Sequence, residues 1–169
     1  MDSREEAFIG LREDWPAVGY LLSAIAGFAV SIFDFWKLQN LEFRFNILNT
    51  MGIILALTGG VLRLLSRLAL REAGLGVMES SRLKVVEDQE LVTDGVYSYI
   101  RHPLYLGEVL RNHGSALALS SAYGFAVMSL ATLFLHFRMD IEEGMLLKEF
   151  GEEYRQYMEE TYRLVPYVY

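Results

Sequence analysis

Apolar residues along this chain are gathered into long runs rather than spread over helical faces. Residues 15–33, 47–62 and 114–135 each contain no charged side chain. A helix crossing the hydrocarbon core of a bilayer needs about 20 mostly apolar residues, and these three segments approach or meet that length. A fourth run, 104–119, qualifies only if Glu108, Arg111 and His113 face protein or a water-filled cavity. The runs predict an all-α integral membrane protein with spans over 15–36, 47–68, 104–119 and 122–138 in one membrane domain, 1–169. A polar lead-in, 1–14, precedes the first span. The segments 69–103 and 139–169 remain as polar regions at one membrane face.

Local signals set the ends of these elements. Trp15 and Trp36 bracket the first span in the manner of an interfacial aromatic belt, with Asp34 at the far interface. Pro103 lacks a backbone N–H and suits the first turn of a helix, so the third helix begins at Pro103 or Leu104 and ends near Leu119. Ser120-Ser121 then forms a tight hairpin. The fourth helix starts near Ala122 and, past Gly124 in its first turn, meets neither Pro nor Gly before Gly144, so it runs out of the bilayer carrying Arg138, Glu142 and Glu143. A last helix over 152–161 precedes Pro166. Asp94-Gly95 marks a turn, and residues 83–86 read as a short extended piece. In the second span, Gly59-Gly60 reads as a small-residue packing face. Arg63, Arg67 and Arg71 share one helical face and read as an interfacial basic stripe or as contacts for an anionic headgroup or substrate.

Composition narrows the chemistry. The 169 residues suffice for one domain, and 53% are hydrophobic despite a net charge of −7. That negative balance argues against a nucleic-acid partner. The absence of cysteine excludes disulfides, thiol nucleophiles and zinc–thiolate sites, so any lipidated cysteine in the chemistry belongs to another molecule. No spacing of His and carboxylates suggests a metal site. With four spans, both termini and 69–103 share one side. That side holds Arg4, Arg12, Arg71, Arg82, Lys84, Arg101, Arg138, Lys148, Arg155 and Arg163, against Lys37 and Arg44 on the other. The positive-inside rule then predicts a multi-pass protein whose polar segments face the cytoplasm.

The polar segments carry the candidate chemistry. Leu91-Val-Thr-Asp-Gly-Val-Tyr-Ser-Tyr-Ile-Arg-His-Pro-Leu-Tyr105 lies directly against the third apolar run, and Arg138-xxx-Glu142, Phe150-Gly-Glu-Glu-Tyr154 and Arg163-Leu-Val-Pro166 follow in order. This ordered set resembles the isoprenylcysteine carboxyl methyltransferase family, which is similar to the membrane phospholipid methyltransferases. The likeness covers about residues 50–169. It implies a membrane enzyme that uses S-adenosylmethionine, yielding S-adenosylhomocysteine, without a Rossmann domain. Gly74-Leu-Gly76 agrees with that, since it follows a helix and lacks a βαβ setting.

Carried over by position, the resemblance implies cofactor contacts from Leu91, Val92, Tyr97, His102, Pro103, Tyr105 and Glu142, with Gln89 standing where some relatives have His. It places Arg138 at the acceptor or catalytic position. Residue chemistry fits. A carboxylate or imidazole can bind the cofactor's ammonium and ribose, tyrosines can pack on adenine or face a sulfonium, and the planar fork of Arg suits a carboxylate. Transfer to a carboxylate needs no general base, only a dry site, alignment and charge stabilisation. The expected acceptor is therefore the carboxylate of a lipophilic, isoprenylcysteine-like molecule. Two other readings stand beside it: an amine acceptor as in phospholipid N-methylation, with Glu143 or Glu108 as base, and a non-catalytic module that binds membrane lipid. Glu108 and Arg111, three residues apart, either neutralise each other or line the acceptor cavity. Tyr99, Tyr123, Tyr167 and Tyr169 read as belt residues, and His113 and His136 as satisfied polar packing.

Overall fold

The computed structural model describes residues 14–38, 45–72 and 91–168. The expectations for the lead-in, for 83–86 and for Gln89 lie outside those residues. Among the described residues five α-helices follow one another: α1 (Trp15–Phe33), α2 (Ile47–Glu72), α3 (Pro103–Ala118), α4 (Ala122–Phe150) and α5 (Glu152–Glu160). Among the described residues the extended backbone pairs only in an isolated parallel bridge between Ile100 and Tyr162.

Most helix ends fall where the residue chemistry puts them. Pro103 opens α3 at a position where its missing N–H has no intrahelical partner to lose. Ser120 takes a positive φ of 53°, and Ser121 caps α4 by accepting the Gly124 N–H at 2.9 Å. Gly151, at φ 57°, ends α4, a left-handed conformation that costs glycine least. Two ends differ from expectation. The first span closes in a π-helical turn, Asp34–Leu38, and α2 continues to Glu72 rather than stopping at residue 68.

Long-range contacts give the helices an up-and-down arrangement. At one end Asp34 is buried and accepts a 2.7 Å hydrogen bond from Ser121, tying the end of α1 to the α3–α4 hairpin. Asn49, near the start of α2, donates to Ala118 O at 3.0 Å and to Ser120 Oγ at 2.7 Å. The start of α1, the start of α3 and the later turns of α4 therefore meet at the other end.

α2 and α3 pack most closely, through small residues. A Cβ on Gly59 would lie 2.5 Å from Arg111 N and Gly107 O, and one on Gly114 would lie 2.5 Å from Ala56 N. Only glycine lets the two backbones approach this far. Gly60, by contrast, has nothing within 4 Å of its would-be Cβ. Of the Gly59-Gly60 pair, Gly59 alone is a packing residue.

Among the described residues three helical segments, Trp15–Leu38, Ile47–Glu72 and Ala122–Phe150, are long and apolar enough to cross a membrane. Their outer faces expose Leu21, Leu22, Ile25, Leu57, Leu64 and Leu133, a pattern lipid tolerates and water does not. The protein is a membrane protein. α3, with 16 residues, is shorter than the usual span. It has no exposed residue, being enclosed by the other helices. That enclosure is what lets Glu108, Arg111 and His113 sit at this depth. His113 Nδ1 lies 2.9 Å from Val109 O, which satisfies it as polar packing. The 29 residues of α4 extend about 43 Å at the helical rise, beyond a hydrocarbon core of about 30 Å. Its last turns carry the polar residues described next.

Candidate active site

The segment ahead of α3 is fixed by the tail that follows α5. Tyr162 N donates to Tyr99 O at 3.0 Å, Arg101 N to Tyr162 O at 2.8 Å and His102 N to Arg163 O at 3.1 Å. Tyr157 on α5 donates its hydroxyl to Tyr97 O at 2.7 Å. Burial pushes the Tyr157 phenol up. Burial, then the Glu142 carboxylate and the Tyr157 phenol, push Tyr97 well up too. Both stay neutral near pH 7, so Tyr157 remains a hydrogen-bond donor. The two distant motifs of the sequence are thereby one structural unit.

Glu143 is the centre of that unit. Its Oε1 lies 3.1 Å from His102 Nε2 and 3.2 Å from Arg101 Nε, and its Oε2 lies 3.0 Å from an Arg163 guanidinium nitrogen. Arg163 also pairs with Asp140. Arg101 donates further to the carbonyls of Met158, at 2.9 Å, and Thr161. A buried carboxylate facing two guanidinium groups and an imidazole is satisfied on both oxygens.

One residue earlier on α4, Glu142 makes a different set of contacts. Tyr105 donates its hydroxyl to Glu142 Oε2 at 2.6 Å, and His102 Nδ1 lies 3.8 Å from the same oxygen. The Glu142 side chain keeps 34% of its surface exposed, whereas Glu143 keeps 11%. The His102 ring stacks on Tyr105 at 5.4 Å, and the Arg138 guanidinium carbon sits 5.7 Å from the Tyr105 centroid. His102, Tyr105, Arg138 and Glu142 are thus brought together. Tyr97 and Pro103 are buried beside them, and Leu91 and Val92 are half-buried where the described segment begins.

Arg138 does not pair with Glu142 four residues on. Its Nε and Nη2 donate to the two carboxylate oxygens of Asp14 at 3.0 and 2.8 Å. The shared helical face holds for the backbone, but the Arg138 side chain turns towards α1.

A second polar cluster lies within the bundle. Glu108 is buried and accepts the Tyr20 hydroxyl at 2.6 Å. Arg63 Nε and Arg111 Nη2 each approach it to 2.5 Å. Asn112 donates to the Tyr20 oxygen at 3.2 Å. Glu108 and Arg111 do neutralise each other, and Arg63 joins them instead of lying in the interfacial stripe. With two guanidinium groups on one carboxylate, this cluster is cationic on balance. Both acids that an amine acceptor would have used as a base, Glu143 and Glu108, are held in ion pairs.

Asp14, Tyr20, Arg63, Arg101, Asn112 and Arg163 carry no candidate role in the motif reading. For Arg101 and Arg163 a signal existed, since both stand inside the matched motifs.

Comparison with known proteins places this arrangement. The phospholipid methyltransferase family model matches residues 47–153, more than half of the chain. A protein-S-isoprenylcysteine O-methyltransferase of Tribolium castaneum is 27% identical over 150 residues, covering 88% of this chain and 52% of the relative. Protein-S-isoprenylcysteine O-methyltransferase A of Arabidopsis thaliana is 32% identical over 123 residues, covering 71% and 60%. The solved structure of a eukaryotic intramembrane Ras methyltransferase, an isoprenylcysteine carboxyl methyltransferase, superposes with a TM-score of 0.70 at 25% identity, covering 88% of this chain and 52% of that one. The chain spans about half the length of the first of these relatives. The resemblance carried by the motif set is borne out. With residues 47–153 matched and the His102, Tyr105, Arg138 and Glu142 cluster inside that stretch, the chain belongs to the phospholipid methyltransferase family.

Proposed function

We propose that this protein transfers a methyl group from S-adenosylmethionine to the carboxylate of a lipophilic, S-prenylcysteine-like acceptor. The observation that carries the reading is the meeting of His102, Tyr105 and Glu142 with Arg138 at one end of the bundle. It puts a partly open carboxylate about one helical turn from a guanidinium suited to an anion. The names of the similar relatives support the acceptor class.

The residues present suit the cofactor. Glu142 is open enough to accept from its ammonium or ribose hydroxyls, and His102, buried against Glu143, offers its other nitrogen on the Glu142 side. Leu91, Val92 and Tyr97 supply apolar and aromatic surface, and Pro103 fixes the turn that presents His102. Gln89 joins this set by position alone. When bound, S-adenosylmethionine supplies an electrophilic methyl on a sulfonium.

The chain's own part is binding, alignment and exclusion of water. Arg138 grips both oxygens of the acceptor carboxylate and orients one towards the methyl. Tyr105 holds Glu142 through its 2.6 Å hydrogen bond and gives Arg138 a ring face to lie against. No base is required, because a carboxylate is ionised near pH 7. We place the acceptor's path beside Glu108 and Arg111, whose cluster with Arg63 is cationic on balance. The protein is read as multi-pass, with α3 as a fourth, enclosed span and the site on the cytoplasmic side, as the basic residues favour.

The test uses purified protein in detergent, methyl-labelled S-adenosylmethionine and an N-acetylated S-farnesylcysteine. Base-labile incorporation, the mark of an ester, is expected. Labelling confined to a base-stable lipid amine would overturn the carboxylate reading.

A further inference from the structure

Asp14 stands at the N-cap of α1, where an aspartate ordinarily accepts a backbone N–H of the first turn. Here its side chain makes no cap bond. It reaches α4 instead, and its two oxygens receive the Nε and Nη2 donors of Arg138 at 3.0 and 2.8 Å. Both side chains are largely enclosed, 16% and 11% exposed. This two-pronged contact has the geometry an acceptor carboxylate takes on a guanidinium edge, and one edge holds one carboxylate at a time. The start of α1 is anchored independently, since Trp15 packs on Phe134 and Phe137 of α4 with ring centroids 6.1 and 5.7 Å apart. The Asp14 side chain is therefore free to leave Arg138 without the helices parting.

We propose that Asp14 is an internal stand-in for the acceptor carboxylate. It occupies the Nε–Nη2 edge of Arg138 in the ligand-free protein, yields to the incoming acceptor, and returns once methylation is complete. The inference rests on the reading of Arg138 as the acceptor-binding arginine. Charge explains the cycle. The acceptor exchanges with Asp14 like for like, so Arg138 never faces the enclosed site without an anion. Methylation forms an O–CH3 bond as the donor's S–CH3 bond breaks, leaving a neutral ester and a neutral thioether. The ester cannot compete for a guanidinium against an ionised carboxylate. Asp14 recaptures Arg138 and the product is expelled.

Asp14→Asn keeps the shape of the side chain and removes its charge. A site that is no longer self-occupied should show an acceptor KM lower by roughly three- to tenfold, since apparent affinity scales with the fraction of competent protein. Inhibition by the methyl ester product should strengthen by a similar factor, and S-adenosylhomocysteine affinity should stay within about twofold, which certifies the fold. Asp14→Glu should stay near wild type. In the unmodified chain, carbodiimide labelling of Asp14, read by mass spectrometry, should rise when the acceptor saturates. If Asp14→Asn fails to bind S-adenosylhomocysteine, this labelling decides the matter alone. Absence of base-labile methylation by the wild type removes the acceptor assignment, and the stand-in with it. Methylation with an unchanged or raised acceptor KM in Asp14→Asn, or with no rise in Asp14 labelling, overturns the stand-in only.

Discussion

His102 Nε2 lies 3.1 Å from Oε1 of Glu143, joining the turn that opens α3 to the polar end of α4. The contact fixes the ring so that Nδ1 faces Glu142, 3.8 Å away. It also makes Glu143 the counter-charge of Arg101 and Arg163. Glu143→Ala leaves both guanidinium groups without that anion, a loss that costs about 3–5 kcal/mol in a buried pair. A clear fall in the thermal midpoint in detergent is expected, larger than for Glu142→Ala. Equal midpoints for the two variants would show that Glu143 does not organise the site.

Cofactor binding should depend on the neighbouring carboxylate. Glu142→Ala and His102→Ala are each expected to weaken S-adenosylhomocysteine binding by about 1–3 kcal/mol, the range for a buried polar group that loses its partner. Tyr105→Phe removes the hydroxyl that orients Glu142 and should weaken binding by about 1 kcal/mol. Isothermal titration calorimetry reads all three. Wild-type affinity in both Glu142→Ala and His102→Ala would remove the cofactor assignment.

The parts legible in the sequence are those with a local signal. Pro103 and Ser121 announce helix ends because each carries its own backbone chemistry, and each end is where that chemistry puts it. His102 and Tyr105 meet Glu142 as the ordered motifs imply. The pairs that set the geometry carry no such signal. Asp14 and Arg138 are separated by 124 positions, and Tyr20 and Glu108 by 88. Nothing in residue type or spacing predicts which distant partner a charge will find. The Arg63, Arg67 and Arg71 stripe shows the same limit. Their spacing fixes a shared face, but only packing shows that Arg63 meets Glu108 on α3. Likewise a Gly-Gly pair marks a possible close approach, while the neighbouring helix selects Gly59 and leaves Gly60 in open space.

That distinction gives a stability test. Gly59→Ala forces a methyl to within 2.5 Å of two backbone atoms of α3, neither of which can rotate away. Separating the helices should cost about 1–3 kcal/mol, as overpacking does elsewhere. Gly60→Ala meets nothing and gains helix propensity of up to about 1 kcal/mol. Thermal unfolding in detergent should therefore move in opposite directions for adjacent substitutions. A shift of the same sign for both would contradict the close α2–α3 contact.

Membrane topology is open to direct labelling, because the native chain has no cysteine. Phe45 and Tyr167 are exposed and lie near opposite ends of the bundle. If the basic residues set orientation, Phe45→Cys should react with an impermeant thiol reagent added outside intact cells. Tyr167→Cys should react only after permeabilisation. The reverse pattern would place the site on the outer face, and equal access for both would refute an even number of spans.

The sharpest separation of binding from chemistry comes from Arg138→Lys. Lysine keeps the charge and loses the planar fork that now meets both Asp14 oxygens at 3.0 and 2.8 Å. If the fork aligns the acceptor carboxylate, methyl transfer should fall by one to several orders of magnitude, at about 1.4 kcal/mol per tenfold. S-adenosylhomocysteine affinity should stay within about threefold of wild type, since Glu142 and His102 are untouched and a threefold change is under about 1 kcal/mol. Single-turnover kinetics and calorimetry on the same preparation give the two numbers. A parallel collapse of affinity and rate would make Arg138 a cofactor ligand. An unchanged rate would show that the acceptor does not need the fork, and the amine acceptor would become the better account of the site.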